Sequence, residues 1–408
     1  MGVIAVVGTL DSKGPEHAFV AARIREHGHR PLLIDIGTLN PPEVTPDILR
    51  EEVLAAGDAD PSAAMSGEDR GKCMAVMATA LPKLLQRLAR LKQIDGVIAL
   101  GGSGGTAIAS AGMRALPTGF PRLLVSTMAS GNVAPYLGTQ DILMMPSIVD
   151  VAGLNRISRL VFTRAAAAIC GMVTVDCSDS SSRPVIAASM FGNTTDCIEQ
   201  ARPVLESAGY EVLVFHATGT GGRTMESLVS DGMVDGVLDV TTTELADELA
   251  GGVLSAGPDR LTAAARRGIP QVVAPGCLDM INFGEPSTIP ERYQGRCFYE
   301  HNPQVTLMRT SAEESVVLGR QLAEKVNCST GPVSVVLPLR GLSVIGAAGG
   351  PFFDAEADAA LFTAISQHLK PGIPTLVCDC AINSPQFSEV CVRELLRYLP
   401  DQESISRE

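Results

Sequence analysis

Gly96-Val97-Ile98-Ala99-Leu100-Gly101-Gly102-Ser103-Gly104-Gly105-Thr106 decides the fold. A short apolar, β-branched run ends in a glycine-rich turn, and an Ala-rich segment with helical spacing follows at 107–114. Strand, tight turn and helix in that order open a crossover unit of a parallel sheet. The alternation continues outward in both directions. Runs at 3–7 and 31–36 flank a helical stretch at 16–27, and a run at 123–126 leads through Ala129-Ser130-Gly131-Asn132 to a long helical stretch at 155–175. Near-continuous apolar strands separated by helices predict mainly parallel sheets covered on both faces.

Three landmarks then recur in the same order. Val3-Ile4-Ala5 with Gly8-Thr9 is echoed by Val185-Ile186-Ala187 with Gly192-Asn193. Gly28-His29-Arg30-Pro31-Leu32 leading to Gly37-Thr38 is answered by Gly209-Tyr210-Glu211-Val212-Leu213 leading to Gly219-Thr220, and Asp95-Gly96-Val97-Ile98 by Asp235-Gly236-Val237-Leu238. Ordered echoes argue for internal duplication. The expected architecture is α/β: two Rossmann-like, doubly wound lobes with a ligand cleft between them. The first spans 1–177, a Ser-rich linker ending in Pro covers 178–184, and the second spans 185–408. The first lobe has an extra segment, 40–90, with a helix near 74–91, expected to cover a site or form an interface. In the second lobe, strands are expected at 270–275, 333–337 and 375–379, and the Pro/Gly/Asn-rich passage 276–302 reads as a long functional loop.

Composition narrows the function classes. The 408 residues are 46% hydrophobic and 19% charged, with a net charge of −13, no Trp and only 4% aromatics. Neither a basic field nor stacking rings are in supply, so nucleic acid is excluded as a partner. The apolar run at 3–7 has no basic segment before it and reads as a strand rather than a signal peptide. No stretch reaches the ~20 clean apolar residues of a membrane span. The ten cysteines are scattered, with Cys378 and Cys380 the closest pair, and no zinc-ligand spacing occurs. Reduced thiols in a cytoplasm are expected.

The glycine turn is where chemistry is expected. Backbone N–H groups of residues without Cβ approach an anion closely, and the following helix aims its free donors and positive end at the same point. Phosphate or carboxylate is the expected guest. A Walker motif would need Lys-Ser/Thr after the glycines; here Lys13, on the turn Gly8-Thr9-Leu10-Asp11-Ser12-Lys13, is the cation available from another strand end. A dinucleotide fingerprint matches only at Gly102, Gly104 and Ala107, and the next strand ends in Ser126-Thr127 rather than in an acid. G-x-S-x-G matches literally, which makes Ser103 a candidate nucleophile with His301 or His368 downstream. A tight turn with no ligand is the remaining reading.

On the Gly8 turn, Asp11 is the candidate Mg²⁺ ligand, with Thr9 and Lys13 on phosphate oxygens; a simple helix cap at Asp11 or Ser12 is the alternative. In the second lobe, Gly221, Gly222 and Arg223 form a second candidate anion site. Asp279 and Asn282 lie close to loop glycines, and His301 is the default proton-transfer residue.

These stretches, with Ser126-Thr127-Met128-Ala129-Ser130-Gly131-Asn132, His301-Asn302-Pro303 and Gly349-Gly350-Pro351-Phe352-Phe353-Asp354, span nearly the whole chain in order. The chain resembles the bacterial relatives of the N-terminal ATP-binding domain of the tomato mosaic virus resistance protein. The resemblance implies a two-lobed α/β protein whose first lobe binds ATP with Mg²⁺, which forms homodimers, and which has a phosphoenolpyruvate hydrolase-like barrel as a separate partner. Gly101, Gly102, Ser103, Gly104, Gly105 and Thr106 are then expected to cradle phosphates. Lys13 neutralises them, and Thr127, Met128, Ala129, Ser130, Gly131 and Asn132 complete the wall. Arg223, Asp279, Asn282 and His301 are expected across the cleft. ATP would serve phosphoryl or adenylyl transfer onto a small organic acid, or act as a regulatory ligand. The alternatives are a hydrolase or carbon–carbon lyase on an acyl or keto-acid substrate, with Ser103 or His301 reacting, and a nucleotide-dependent protein-binding module.

Overall fold

In the computed structural model, which describes residues 1–59, 69–176 and 183–400, strands and helices alternate as the glycine punctuation predicts. The chain divides into two units, Met1–Ser180 and Ser181–Glu408. Most of the expected linker, and Cys177 before it, lie outside the described residues.

The first unit runs β1 (Val3–Gly8), α1 (Leu10–Glu26), β2 (Arg30–Asp35), α2 (Arg50–Ala56), α3 (Arg70–Arg90), β3 (Gly96–Gly101), α4 (Ser103–Arg114), β4 (Arg122–Ser126), α5 (Ala134–Leu137), β5 (Leu143–Pro146) and α6 (Arg156–Thr174). Its five strands are parallel, in the order β2-β1-β3-β4-β5. Alternate residues of β1 serve two cores. Ala5 and Val7 pack with Leu81 and Leu84 of α3 and Ile108 of α4, while Ile4 and Val6 pack with Ile24 of α1 and Phe162 of α6. Both faces are therefore buried, which explains the unbroken apolar strands. α6 has 19 residues and a mean hydropathy of 1.3 over its best window, so by length and composition it passes the test for a membrane span that the sequence reading expected no stretch to meet. Here its Phe162, Ala165, Ala166 and Ile169 are buried at helical spacing in the second of these cores.

The second unit runs β6 (Val185–Met190), α7 (Thr195–Ser207), β7 (Glu211–His216), α8 (Thr220–Ser230), β8 (Gly236–Thr241), α9 (Glu244–Ala250), α10 (Ala263–Arg267), β9 (Gln271–Gly276), β10 (Met280–Phe283), β11 (Phe298–Asn302), β12 (Val305–Arg309), α11 (Ala312–Val326), β13 (Val333–Pro338), α12 (Ala355–His368), β14 (Thr375–Cys378) and α13 (Pro385–Tyr398). Its main sheet is parallel, in the order β7-β6-β8-β9-β13-β14. The second strand pairs outside the first and the third inside, as in the first unit.

The duplication extends to individual hydrogen bonds. Asp95 accepts the N–H of Val3 at 2.7 Å and returns its own N–H to the Val3 carbonyl at 2.7 Å. Asp235 does the same with Val185, at 2.8 Å in both directions. Gly28 and Gly209, which precede the second strand of each unit, both have positive φ, 80° and 95°.

One expectation is corrected. The passage 276–302 is not a loop throughout: β10 and β11 lie in it and join β12 in an antiparallel sheet of order β10-β12-β11. Polar composition concealed both strands, because the side-chain amide of Asn282 on β10 donates inside the fold to Asp247 and β11 is exposed along its whole length.

Candidate functional site

β1 and β3 are neighbours at the centre of the first sheet, but the chain leaves β1 towards β2 on one side and β3 towards β4 on the other. Open α/β sheets leave a crevice at the carboxyl ends of strands where the winding reverses. A cavity of about 290 Å³ lies at this point. Thr9, Ser12 and Lys13 border it from the turn after β1, Gly102 to Gly105 from the turn after β3, and Ile36 and Leu39 from the segment after β2. The two turns singled out in the sequence thus share one cavity.

Each turn has a local cause. Pro15 lacks an N–H and crowds the carbonyl four residues back, and Lys13 departs from helical geometry at φ −139°, ψ 26°. The Lys13 carbonyl accepts a hydrogen bond from Nδ1 of buried His17 at 2.7 Å, and its ammonium donates to the carbonyl of Val151. Burial pushes the His17 imidazole below its ordinary value, outweighing the upward pull of its bond to Lys13.

In the other turn, Gly102 is the N-cap of α4, in extended conformation and with no side chain to cap the helix. The N–H of Thr106 returns to the Gly102 carbonyl at 2.9 Å. Those of Ser103, Gly104 and Gly105 make no hydrogen bond to any described residue, and these three residues line the cavity.

Asp11 also lines the cavity, with its carboxylate engaged by donors of the fold. It is 8% exposed; one oxygen accepts the N–H groups of Leu39 at 2.9 Å and Asn40 at 3.3 Å, and the other accepts the Ser12 hydroxyl at 3.2 Å. Its carboxylate ties down the segment after β2. Among the described residues no group of three His, Cys, Asp or Glu side chains is placed to hold a metal ion.

Ser103 is the exposed first residue of α4, without the positive φ seen at Cys277, and among the described residues no histidine lines the cavity. Thr106 is fully buried, with its hydroxyl 2.6 Å from that of Ser126. Thr127, Met128, Ala129, Ser130, Gly131 and Asn132 follow β4, one strand further along, and do not line the cavity. Thr127 and Met128 instead donate backbone N–H groups to the Gly101 carbonyl and the Ser126 hydroxyl, and Asn132 caps the N–H of Ala134.

The structure adds Arg70 and Met74, on the first turns of α3, to the cavity wall. They belong to the extra segment 40–90, which has no counterpart in the second half. That unmatched length was the available signal.

The residues expected as second-lobe ligands are engaged internally. Glu244 accepts the N–H groups of Gly219 at 2.7 Å and Gly222 at 3.1 Å, so this glycine turn already holds an anion. Arg223 is turned to the Ser255 carbonyl and the Thr220 hydroxyl. Asn282 donates to Asp247 from its backbone at 2.9 Å and its side chain at 2.7 Å. Asp279 is fully buried and accepts the Ser343 hydroxyl at 2.6 Å. Burial pushes its carboxyl up, against the opposing pull of Arg309 and Ser343. His301 lies elsewhere, exposed on β11.

Two doubly wound parallel α/β units, the first with a glycine-lined crevice at its switch point, define the class. The chain belongs to the family described as uncharacterised protein family UPF0261, whose N-terminal domain matches residues 2–178 and whose C-terminal domain matches 183–399. It is similar to a UPF0261 protein of Rhizobium meliloti (strain 1021), 46% identical over 391 residues that cover 95% of this chain and 97% of that one. It is also similar to the ToMV resistance protein Tm-1(GCR237) of Solanum lycopersicum, 40% identical over 339 residues, 81% of this chain and 45% of that protein. Among solved structures, UDP-N-acetylglucosamine 2-epimerase from Rickettsia bellii matches over 66% of this chain and 78% of that one, at 12% identity and a TM-score of 0.22.

Proposed function

We propose that the first unit is a nucleotide-binding module that takes the phosphate groups of its ligand at the amino end of α4. The carrying observation is the set of three backbone N–H groups, at Ser103, Gly104 and Gly105, left without partners on a cavity that also receives Lys13 and Arg70. Such donors, with a helix dipole and two cations, suit a phosphate. Ile36, Met74 and Ile108 give the same cavity an apolar side for the remainder of the ligand. ATP is the nucleotide implied by the resemblance to the plant protein's relatives. The lining supplies phosphate-binding groups and an apolar side, and binding is the reading supported best. With Asp11 engaged on backbone donors, Mg²⁺ is expected to be held by the nucleotide phosphates and water rather than by a carboxylate cage.

Calorimetric titration of the full chain with ATP, with and without Mg²⁺, tests this. Lys13→Ala and Arg70→Ala are each expected to weaken binding about tenfold or more, the loss of one charge-assisted contact. Gly104→Asp, which places a carboxylate at the anion site, is expected to abolish it. No heat from ATP, or undiminished binding in all three variants, would overturn the reading.

A further inference from the structure

The second unit contains another cavity, of about 510 Å³, at the carboxyl ends of β6 and β7. Its chemistry is the opposite of the first unit's crevice. Among the described residues, none of the side chains lining it is Asp, Glu, Lys or Arg. Rings dominate instead: Phe191 follows β6, His216 ends β7, and Tyr299 and His301 come from β11. We propose that this cavity is a binding site for an uncharged planar aromatic or heteroaromatic group, walled by Phe191, His216, Tyr299 and His301.

The backbone builds these walls for definite reasons. Met190 and His216 are register partners in the parallel sheet, which sets Phe191 and His216 side by side, with ring centroids 5.4 Å apart and planes tilted by 52°. The Phe191 turn is held by the Thr194 hydroxyl, which accepts the Phe191 N–H at 3.0 Å. On the other wall, Tyr299 is paired with Leu307 across the antiparallel ladder, and period-two alternation puts Tyr299 and Leu307 on one face of the hairpin. A bulge between Glu300 and Asn302 leaves His301 as the extra residue. Bulges recur where a strand must re-aim a side chain beside a site, and here both His301 and Asn302 line the cavity. The floor is apolar: Val305 and Ile345 pack on a cluster of Cys277, Met280, Leu307 and Phe352, and Tyr299 meets Phe352 edge-on at 6.4 Å.

Polar groups are present, of which Asn302 accepts the Gln304 N–H on its side-chain oxygen at 2.9 Å. Neither imidazole, nor the Tyr299 hydroxyl, nor the Asn302 side-chain amide donates a hydrogen bond to a described residue, and these are the groups that would read the edge of a ring. An apolar floor, stacking faces and a few free hydrogen-bonding tips are the usual make-up of a small-molecule pocket. The absence of Lys and Arg argues against a phosphate or carboxylate as the main determinant.

The test uses the full-length protein with ¹³C-labelled histidine, and its probes are benzamide, 2-quinolinone and cyclohexanecarboxamide. The His216 and His301 signals, assigned by single His→Ala variants, are expected to shift with the two flat probes. Cyclohexanecarboxamide, with the same amide on a puckered ring, is expected to bind about tenfold more weakly because it cannot stack. Tyr299→Ala is expected to reduce affinity by a similar factor. Val344→Trp, at an exposed lining position, fills the cavity and removes the response. Each variant's melting curve is to be compared with that of the parent. Absence of shifts at His216 and His301 with both flat probes, or an equal response to the puckered one, overturns the proposal.

Discussion

Gly219 donates its backbone N–H to the carboxylate of Glu244 at 2.7 Å. A loop whose glycines read as an anion cradle is therefore already filled by an anion of the chain's own. The other Glu244 oxygen receives Nε of Arg260 at 2.5 Å, and the Arg260 guanidinium, fully buried, also forks onto Asp239 at 2.5 and 2.7 Å. Burial alone would push Arg260 down; the carboxylates of Asp239, Glu244 and Glu226 outweigh it and hold the group charged. Glu244→Gln keeps the shape but removes the charge and puts an amide N–H₂ against donors. It is expected to destabilise the protein by about 3–5 kcal/mol, as for other broken buried ion pairs, measured by urea unfolding.

Arg223→Ala separates the two glycine turns by function. Among the described residues Arg223 reaches only the Ser255 carbonyl and the Thr220 hydroxyl, at 3.2 and 3.4 Å. Calorimetry with ATP is expected to give the parent affinity, in contrast to Lys13→Ala.

Gly8 is required by His17. A Cβ at Gly8 would lie 2.1 Å from Nε2 of the His17 ring, a ring that is fully buried and bonded to the Lys13 carbonyl. Gly8→Ala alone is expected to destabilise by about 3 kcal/mol or more through overpacking. The double variant Gly8→Ala/His17→Ala is expected to be more stable than Gly8→Ala, which a thermal melt of both proteins checks.

Pro15 sets the position of Lys13. Pro15→Ala restores an N–H for the Asp11 carbonyl and favours regular helix through residue 13. Thermal stability is expected to hold or rise, whereas ATP affinity falls by about tenfold as the ammonium leaves its place beside Val151.

Asp247 gives the second unit a pH dependence of known sign. Burial raises its carboxyl to about 7, with the bonds from Asn282 opposing and Glu244 reinforcing the shift. The folded state therefore binds a proton that the unfolded state has released above its ordinary value near 4. Stability from this group falls as pH rises from about 4 to about 7, by an amount on the order of 4 kcal/mol, and is flat outside that window. Asp247→Asn is expected to remove this slope, seen as a melting temperature that changes less between pH 4.5 and 8 than the parent's.

What the sequence determined by itself was the local grammar. Apolar runs closed by glycine, followed by helical spacing, announced parallel strands with crossovers, because a strand buried on both faces must be apolar throughout. The repeated Asp-Gly-Val landmark announced the duplication, and the structure shows why both copies keep it: Asp95 and Asp235 each clamp the first residue of the neighbouring strand. The glycine turns at Gly8 and Gly101 were placed together on one cavity because both end neighbouring strands at the switch point.

What only the tertiary structure decided was which polar groups remain free. The turns after β3 and β7 look alike in composition, yet one is open and the other closed, because the closing carboxylate, Glu244, comes from 22 residues beyond Gly222. Asp11, Thr106, Asp279 and Asn282 have the side chains of a functional site and each makes a hydrogen bond within the fold, although one buried oxygen each of Asp279 and Asn282 is left without a partner among the described residues. Arg70 reaches the first cavity from the extra segment, and His301 is placed on the second by a bulge. Composition records which groups a chain carries; whether a donor meets an internal acceptor depends on contacts between residues far apart in sequence, and those exist only once the sheets have formed.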